Sequence, residues 1–169
     1  MKFIESKTHK QISDAVKTNP YANSILKEFK SQSSKRKGKF FEILCQEYFE
    51  SLGQIVEKPT NTEHDRIISG SKKEIKGSFL WGEGTHFRWQ QIRVHDDYDS
   101  VIFIAAYPDR IELYEADKPT ILQHLYIQDA AGNWPHNQHG GKTKNSGCFF
   151  VDGFPNQFSW MTKIGTIIC

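Results

Sequence analysis

Three charged residues, Asp65, Glu74 and Lys76, lie within twelve positions of one another, with the apolar Ile75 between the last two. On a strand, side chains alternate faces, so Glu74 and Lys76 share one face and Ile75 takes the other. Gly70-Ser71, set between the runs Arg66 to Ser69 and Lys72 to Phe79, is a hairpin signal, and a hairpin there brings Asp65 across from Glu74. Two carboxylates on one spot repel unless a proton or a cation intervenes. Hard oxygen donors select Mg²⁺, which keeps several waters and completes its octahedron with phosphate oxygens. The Lys76 ammonium beside such an ion is suited to orient a water for in-line attack on phosphorus and to offset transition-state charge.

Other segments must position these groups. Phe41, Leu44, Cys45, Tyr48, Phe49 and Leu52 follow helical spacing, and Gly53 stands where a helix ends, so a helix carrying Glu42 and Glu47 precedes the charged strand. A short strand is expected at Gln54 to Glu57, a fully buried one at Val101 to Ala106, and a partner strand from Arg110 to Tyr114 across the Pro108-Asp109 turn. Pro119 to Ile127 reads as a short helix, and Cys148 to Val151 and Lys163 to Ile168 as strands. Ser6 to Lys17 and the stretch around Ile25, Leu26 and Phe29 read as additional N-terminal helices. The pattern is α+β, a mixed central sheet flanked by helices. One domain is expected, with a basic extension at 1–36, a catalytic core at 37–116 and recognition and dimerisation additions at 117–169.

Asp65, Glu74-Ile75-Lys76 and the preceding amphipathic helix resemble the PD-(D/E)xK nuclease superfamily, most closely the small type II restriction endonucleases. The resemblance covers residues 38–106, with His64 in the place of the nominal proline. It implies a restriction-endonuclease-like αβββαβ core in which Asp65 and Glu74 bind Mg²⁺, the Ile75 carbonyl adds a ligand and Lys76 positions the nucleophile. Glu42, or less directly Glu47, matches the helix glutamate that assists at the metal in many members. The resemblance further implies site-specific cleavage of double-stranded DNA by a homodimer, with a companion DNA methyltransferase. A mismatch nickase or junction resolvase, and a DNA-binding protein without catalysis, are the alternative readings.

The charge balance agrees with a polyanionic partner. The net charge is only +2, yet residues 1–40 carry +7 and residues 41–169 carry −5. Lys35, Arg36 and Lys37 are candidate phosphate contacts. Arg88, Gln90, Gln91 and Arg93 have the forks and carboxamides that read base edges, and either glutamine could equally lie near the metal. The glycine- and asparagine-rich stretch from Gln128 to Ser146 supplies Asn137, Gln138, His139, Lys142 and Lys144 as further candidate DNA contacts. The acidic run His95 to Asp99 reads as a strand cap or solvated turn. Three cysteines without CxxC spacing, no apolar run near 20 residues and no secretory pattern lead to the expectation of a reduced, cytoplasmic protein away from membranes.

Overall fold

The computed structural model describes residues 19–82, 84–139 and 145–169. The expected helix at Ser6 to Lys17, together with Lys142 and Lys144, lies outside them. A short helix, α1 (Lys27–Ser31), leads into α2 (Ser34–Ser51), whose N-cap Ser33 accepts a hydrogen bond from the Arg36 N–H. The stripe Phe41, Cys45 and Phe49 is buried at i, i+4, i+8, and α2 stops where Gly53 adopts φ 75°.

Six strands form one mixed sheet in the order β1 (Val56–Glu57), β2 (Arg66–Ile68), β3 (Ser71–Phe79), β5 (Ser100–Ala106), β6 (Arg110–Asp117) and β8 (Thr162–Ile168). Strands β4 (Phe87–Arg93) and β7 (Cys148–Gly153) pair separately as a two-stranded ribbon, and α3 (Lys118–Leu125) follows β6. The fold is thus α+β with a mixed central sheet and flanking helices, as expected. Two details differ from expectation. The β2–β3 turn is centred on Ser69-Gly70, both at positive φ (49° and 82°), one position earlier than Gly70-Ser71; this handedness matches the twist of the paired strands. The αβββαβ pattern also calls for a helix between parallel strands β3 and β5, but among the described residues the connection carries strand β4 instead. The stretch is long enough to bridge parallel strands, and its apolar Phe87, Trp89 and Ile92 are fully buried, with the Trp89 indole N–H donating to the Ile104 carbonyl at 3.0 Å.

All seven residues of β5 are buried, because helix covers one face of the sheet and the ribbon the other. On the helix side, Phe41 packs on Phe79 with ring centroids 5.2 Å apart, and Gly77 lies directly beneath the Phe41 ring, leaving no room for a Cβ. On the ribbon side, Trp89 packs edge-on to Phe103, and Ser78 Oγ accepts from the Arg88 N–H at 3.0 Å. Since Glu74 pairs with Val101 and Lys76 with Phe103, alternation places both charged residues on the ribbon side.

Candidate active site

The length of β2 creates the site. With three residues it pairs only with Ser71 to Lys73 and leaves the edge of β3 open from Glu74 onward. Extended residues direct N–H and C=O to the same edge. Asp65, just before β2, closes the first part of that edge: its N–H donates to the Lys73 carbonyl at 2.9 Å and its Oδ2 accepts the Ile75 N–H at 2.8 Å. The Ile75 carbonyl therefore points toward the same open edge, beside the Asp65 carboxylate.

Glu74 is 8% exposed, and its Oε1 lies 2.5 Å from Lys76 Nζ. Burial is the main cause that raises its pKa, and the Asp65 charge adds to it; the Lys76 ammonium opposes both, and the result is about 7. Asp65 is also pushed up, chiefly by burial, against the lowering effects of the Ile75 N–H and Lys76. The three groups act on one another: the Asp65 and Lys76 charges both bear on Glu74, and Lys76 bears on Asp65.

Glu42 approaches from the helix side, where Lys39 and Arg66 hold it at 3.1 and 3.3 Å. Arg66 is 7% exposed; it also donates to Gln46 Oε1 (3.2 Å) and to the Asp65 carbonyl (2.6 Å). Glu42 thus fixes the backbone at Asp65 through Arg66. Glu47 is exposed, five residues along the helix and so about 140° around it from Glu42.

An open cleft of about 560 Å³ runs along the free edge of β3, between the start of α2 and the ribbon. Its wall includes Lys30, Lys37, Lys76 and Arg88 and, among the described residues, no carboxylate. Lys30 has a lowered pKa, from burial first and the nearby Lys37 charge second. Lys35 and Arg36 are exposed in the first turn of α2, which holds no acidic residue, so three cations crowd the positive end of the helix dipole.

Gln90 and Gln91 line the ribbon side of the cleft. Arg88 pairs with Asp152 at 2.5 Å, and Arg93 is exposed, 3.8 Å from Asp96. Asn137 is 4% exposed and accepts from the Ser146 N–H at 3.3 Å, so it holds its loop together from within. Gln138 accepts the Gln91 N–H at 2.5 Å, and His139 is exposed. The acidic run near Asp99 serves as a staple: Asp99 Oδ2 accepts the Lys72 N–H at 2.8 Å and Asp97 pairs with Lys72 at 2.5 Å.

The donor set tests which metal the site suits. Among the described residues there is no group of three or more His, Cys, Asp or Glu side chains placed to hold a metal. Zinc and all-protein calcium cages need more donors than this, whereas Mg²⁺ is held by one or two carboxylates plus substrate phosphate and water. Asp65, Glu74 and the Ile75 carbonyl fit that requirement. Sequence reasoning missed Arg66 and Gly77, whose partners Glu42 and Phe41 lie on a distant segment.

Among the described residues, no helix is long and apolar enough to cross a membrane. The sequence matches no protein-family model and no curated protein. One solved structure, a bacterial homing endonuclease named I-Ssp6803I, is similar over 54% of this chain and 70% of that one, at TM-score 0.44 and 18% identity, a likeness too distant to carry a functional argument.

Proposed function

We propose that the protein hydrolyses phosphodiester bonds in double-stranded DNA as a Mg²⁺-dependent endonuclease acting at a short specific site, the activity of a type II restriction enzyme. The observation that carries this reading is the meeting of Asp65, Glu74 and Lys76 at the open edge of β3, next to a cleft lined with cations. A cleft of one charge sign attracts a polyanion, and neutralised phosphates supply most sequence-independent affinity.

Asp65 and Glu74, with the Ile75 carbonyl, are the residues that would hold Mg²⁺. When bound, Mg²⁺ supplies Lewis acidity at the phosphate and eases deprotonation of water. The Ile75 N–H and Arg66 keep Asp65 in place. Lys76, free to exchange its contact with Glu74 for one with substrate, orients the attacking water and balances charge on phosphorus. Lys30, Lys37 and the first turn of α2 bind the flanking phosphates. Two copies related by a two-fold axis place one such centre on each strand of a palindromic site, which makes a homodimer the working form and a methyltransferase its protective companion.

The test is incubation of unmodified plasmid and phage DNA with Mg²⁺, comparing wild type with Glu74→Ala and Lys76→Ala. Discrete fragments from wild type and none from either variant are expected. Cleavage by both variants at the wild-type rate rejects the site.

A further inference from the structure

Strand β4 buries Phe87, Trp89 and Ile92 completely, although the last two are three positions apart. Strict alternation from Trp89 would turn Gln91 into the core and Ile92 outward. The chain avoids this with a bulge: Trp89 lies opposite Val151 and Ile92 opposite Phe149, so Gln90 and Gln91 together face the single residue Phe150. Two consecutive carboxamides consequently leave the core side, and both line the cleft that contains Lys76.

The bulge has a conformational cost that glycine would avoid. Gln91 has φ 59°, a left-handed conformation uncommon for a residue with a side chain. It is braced rather than loose, since the Gln91 N–H donates to Gln138 Oε1, and the Gln138 N–H to the Cys148 carbonyl at 2.9 Å. Neighbouring cations on this face have acidic partners, Arg88 with Asp152 and Arg93 with Asp96. By contrast, the Gln90 and Gln91 carboxamides make no hydrogen bond to any described residue. A rigid, strained bulge with two donor–acceptor groups that no described residue engages, on a two-stranded ribbon, suits a ligand that presents paired acceptor and donor atoms. Adenine does so in the major groove, through N7 and N6, and that groove admits a two-stranded ribbon.

We propose that the β4 bulge reads adenine, with Gln90 and Gln91 as the specificity-determining residues of the DNA site. The inference rests on the endonuclease reading and deepens it: because the glutamines and Lys76 share one cleft, the adenine they read lies within a few base pairs of the cut.

The experiment is selection of bound sites from a random duplex library without divalent metal, so that nothing is cut, using wild type, Gln90→Ala, Gln90→Glu and Gln91→Gly. Glycine accepts the left-handed backbone, so Gln91→Gly removes the carboxamide without disturbing the bulge, and thermal melting of each variant checks folding. Wild type is expected to enrich a site with a fixed adenine. Gln90→Ala and Gln91→Gly lower that preference by about 5- to 150-fold, and Gln90→Glu moves it toward cytosine. An unchanged motif in folded variants, or no enriched motif in wild type, overturns the inference. Cleavage with Mg²⁺ separates the two ideas: a protein that cuts while its glutamine variants keep the motif loses only this one. A protein whose adenine preference depends on the glutamines, but which never cuts, loses only the nuclease reading.

Discussion

Replacing Glu74 with Gln should make the protein more stable while ending cleavage. In the fold, burial, aided by Asp65 and resisted by Lys76, brings the Glu74 pKa to about 7, against an ordinary 4.5. A raised carboxylate pKa means that the folded state binds the proton more tightly than the unfolded chain. The stability this gives is complete below about 4.5 and is lost as pH rises toward 7. At 1.36 kcal/mol per pH unit, ionised Glu74 costs the fold about 3 kcal/mol at pH 8 and about 1 kcal/mol at pH 5. Glutamine mimics the protonated acid at every pH. Glu74→Gln should therefore exceed wild type by about 3 kcal/mol at pH 8, or about 6–12 °C in melting temperature, and the gap should shrink by about 2 kcal/mol at pH 5. Calorimetry at the two pH values measures both. Mg²⁺ at one hundred times its dissociation constant should add about 2.7 kcal/mol to wild type alone. A variant less stable than wild type at pH 8, or a gap independent of pH, refutes the claim that Glu74 is a strained carboxylate.

Three further substitutions probe the cleft and the packing beneath it. Lys30→Ala with Lys37→Ala should weaken binding to mixed-sequence duplex and lower the slope of log K against log salt by about 1 for each phosphate left without its lysine, as fluorescence anisotropy across a salt series would show; an unchanged slope means that neither lysine meets the backbone. Arg66→Ala removes the hydrogen bonds that Arg66 gives the Asp65 carbonyl and Gln46, while Glu42 keeps Lys39, and should cost about 1–3 kcal/mol in urea denaturation; a cost under about 0.5 kcal/mol means that Arg66 does not brace the site. Gly77→Ala drives a Cβ into the Phe41 ring and should cost about 1–3 kcal/mol, with cleavage falling further because α2 moves off β3; unchanged melting would show that the close packing is not required.

Much of this architecture is legible where the pattern is local and regular. The apolar stripe of α2 and the unbroken apolar run of β5 mark those elements directly, because burial of one helical face or both strand faces writes itself into the sequence. Asp65 and Glu74 could be paired because a two-residue turn converts sequence spacing into a cross-strand position. Strand β4 escaped for the opposite reason: its bulge breaks the period-two alternation that announces a strand, and the resemblance called for a helix in that connection. Arg66 looks like a surface cation in an apolar run, and Glu42 and Gln46, a helix away, together with the Asp65 carbonyl, make burying it tolerable. Asn137 has the composition of a surface reader, yet it is buried against its own loop at Ser146, an arrangement no local pattern encodes.

Part of the basic excess before residue 40, Lys30, Lys37 and the first turn of α2, borders the cleft along the β3 edge, and two of the later carboxylates, Asp65 and Glu74, stand beside it. At one end, Asp65 and Glu74 hold negative charge against burial, each with a raised pKa. Along the rest, Lys30 holds positive charge against burial and against Lys37, and α2 begins with three cations where its dipole favours an anion. Lys76 offsets part of the carboxylate strain through its contact with Glu74, but Lys30 and Lys37 face a cleft wall with no carboxylate among its described residues. On the proposed reading, a phosphodiester chain with a divalent ion would ease both at once, its anionic oxygens toward the lysines and the cation held by Asp65 and Glu74. If that reading holds, the free protein is strained where its substrate would bind, and the stability gained by Glu74→Gln reports the carboxylate part of that strain.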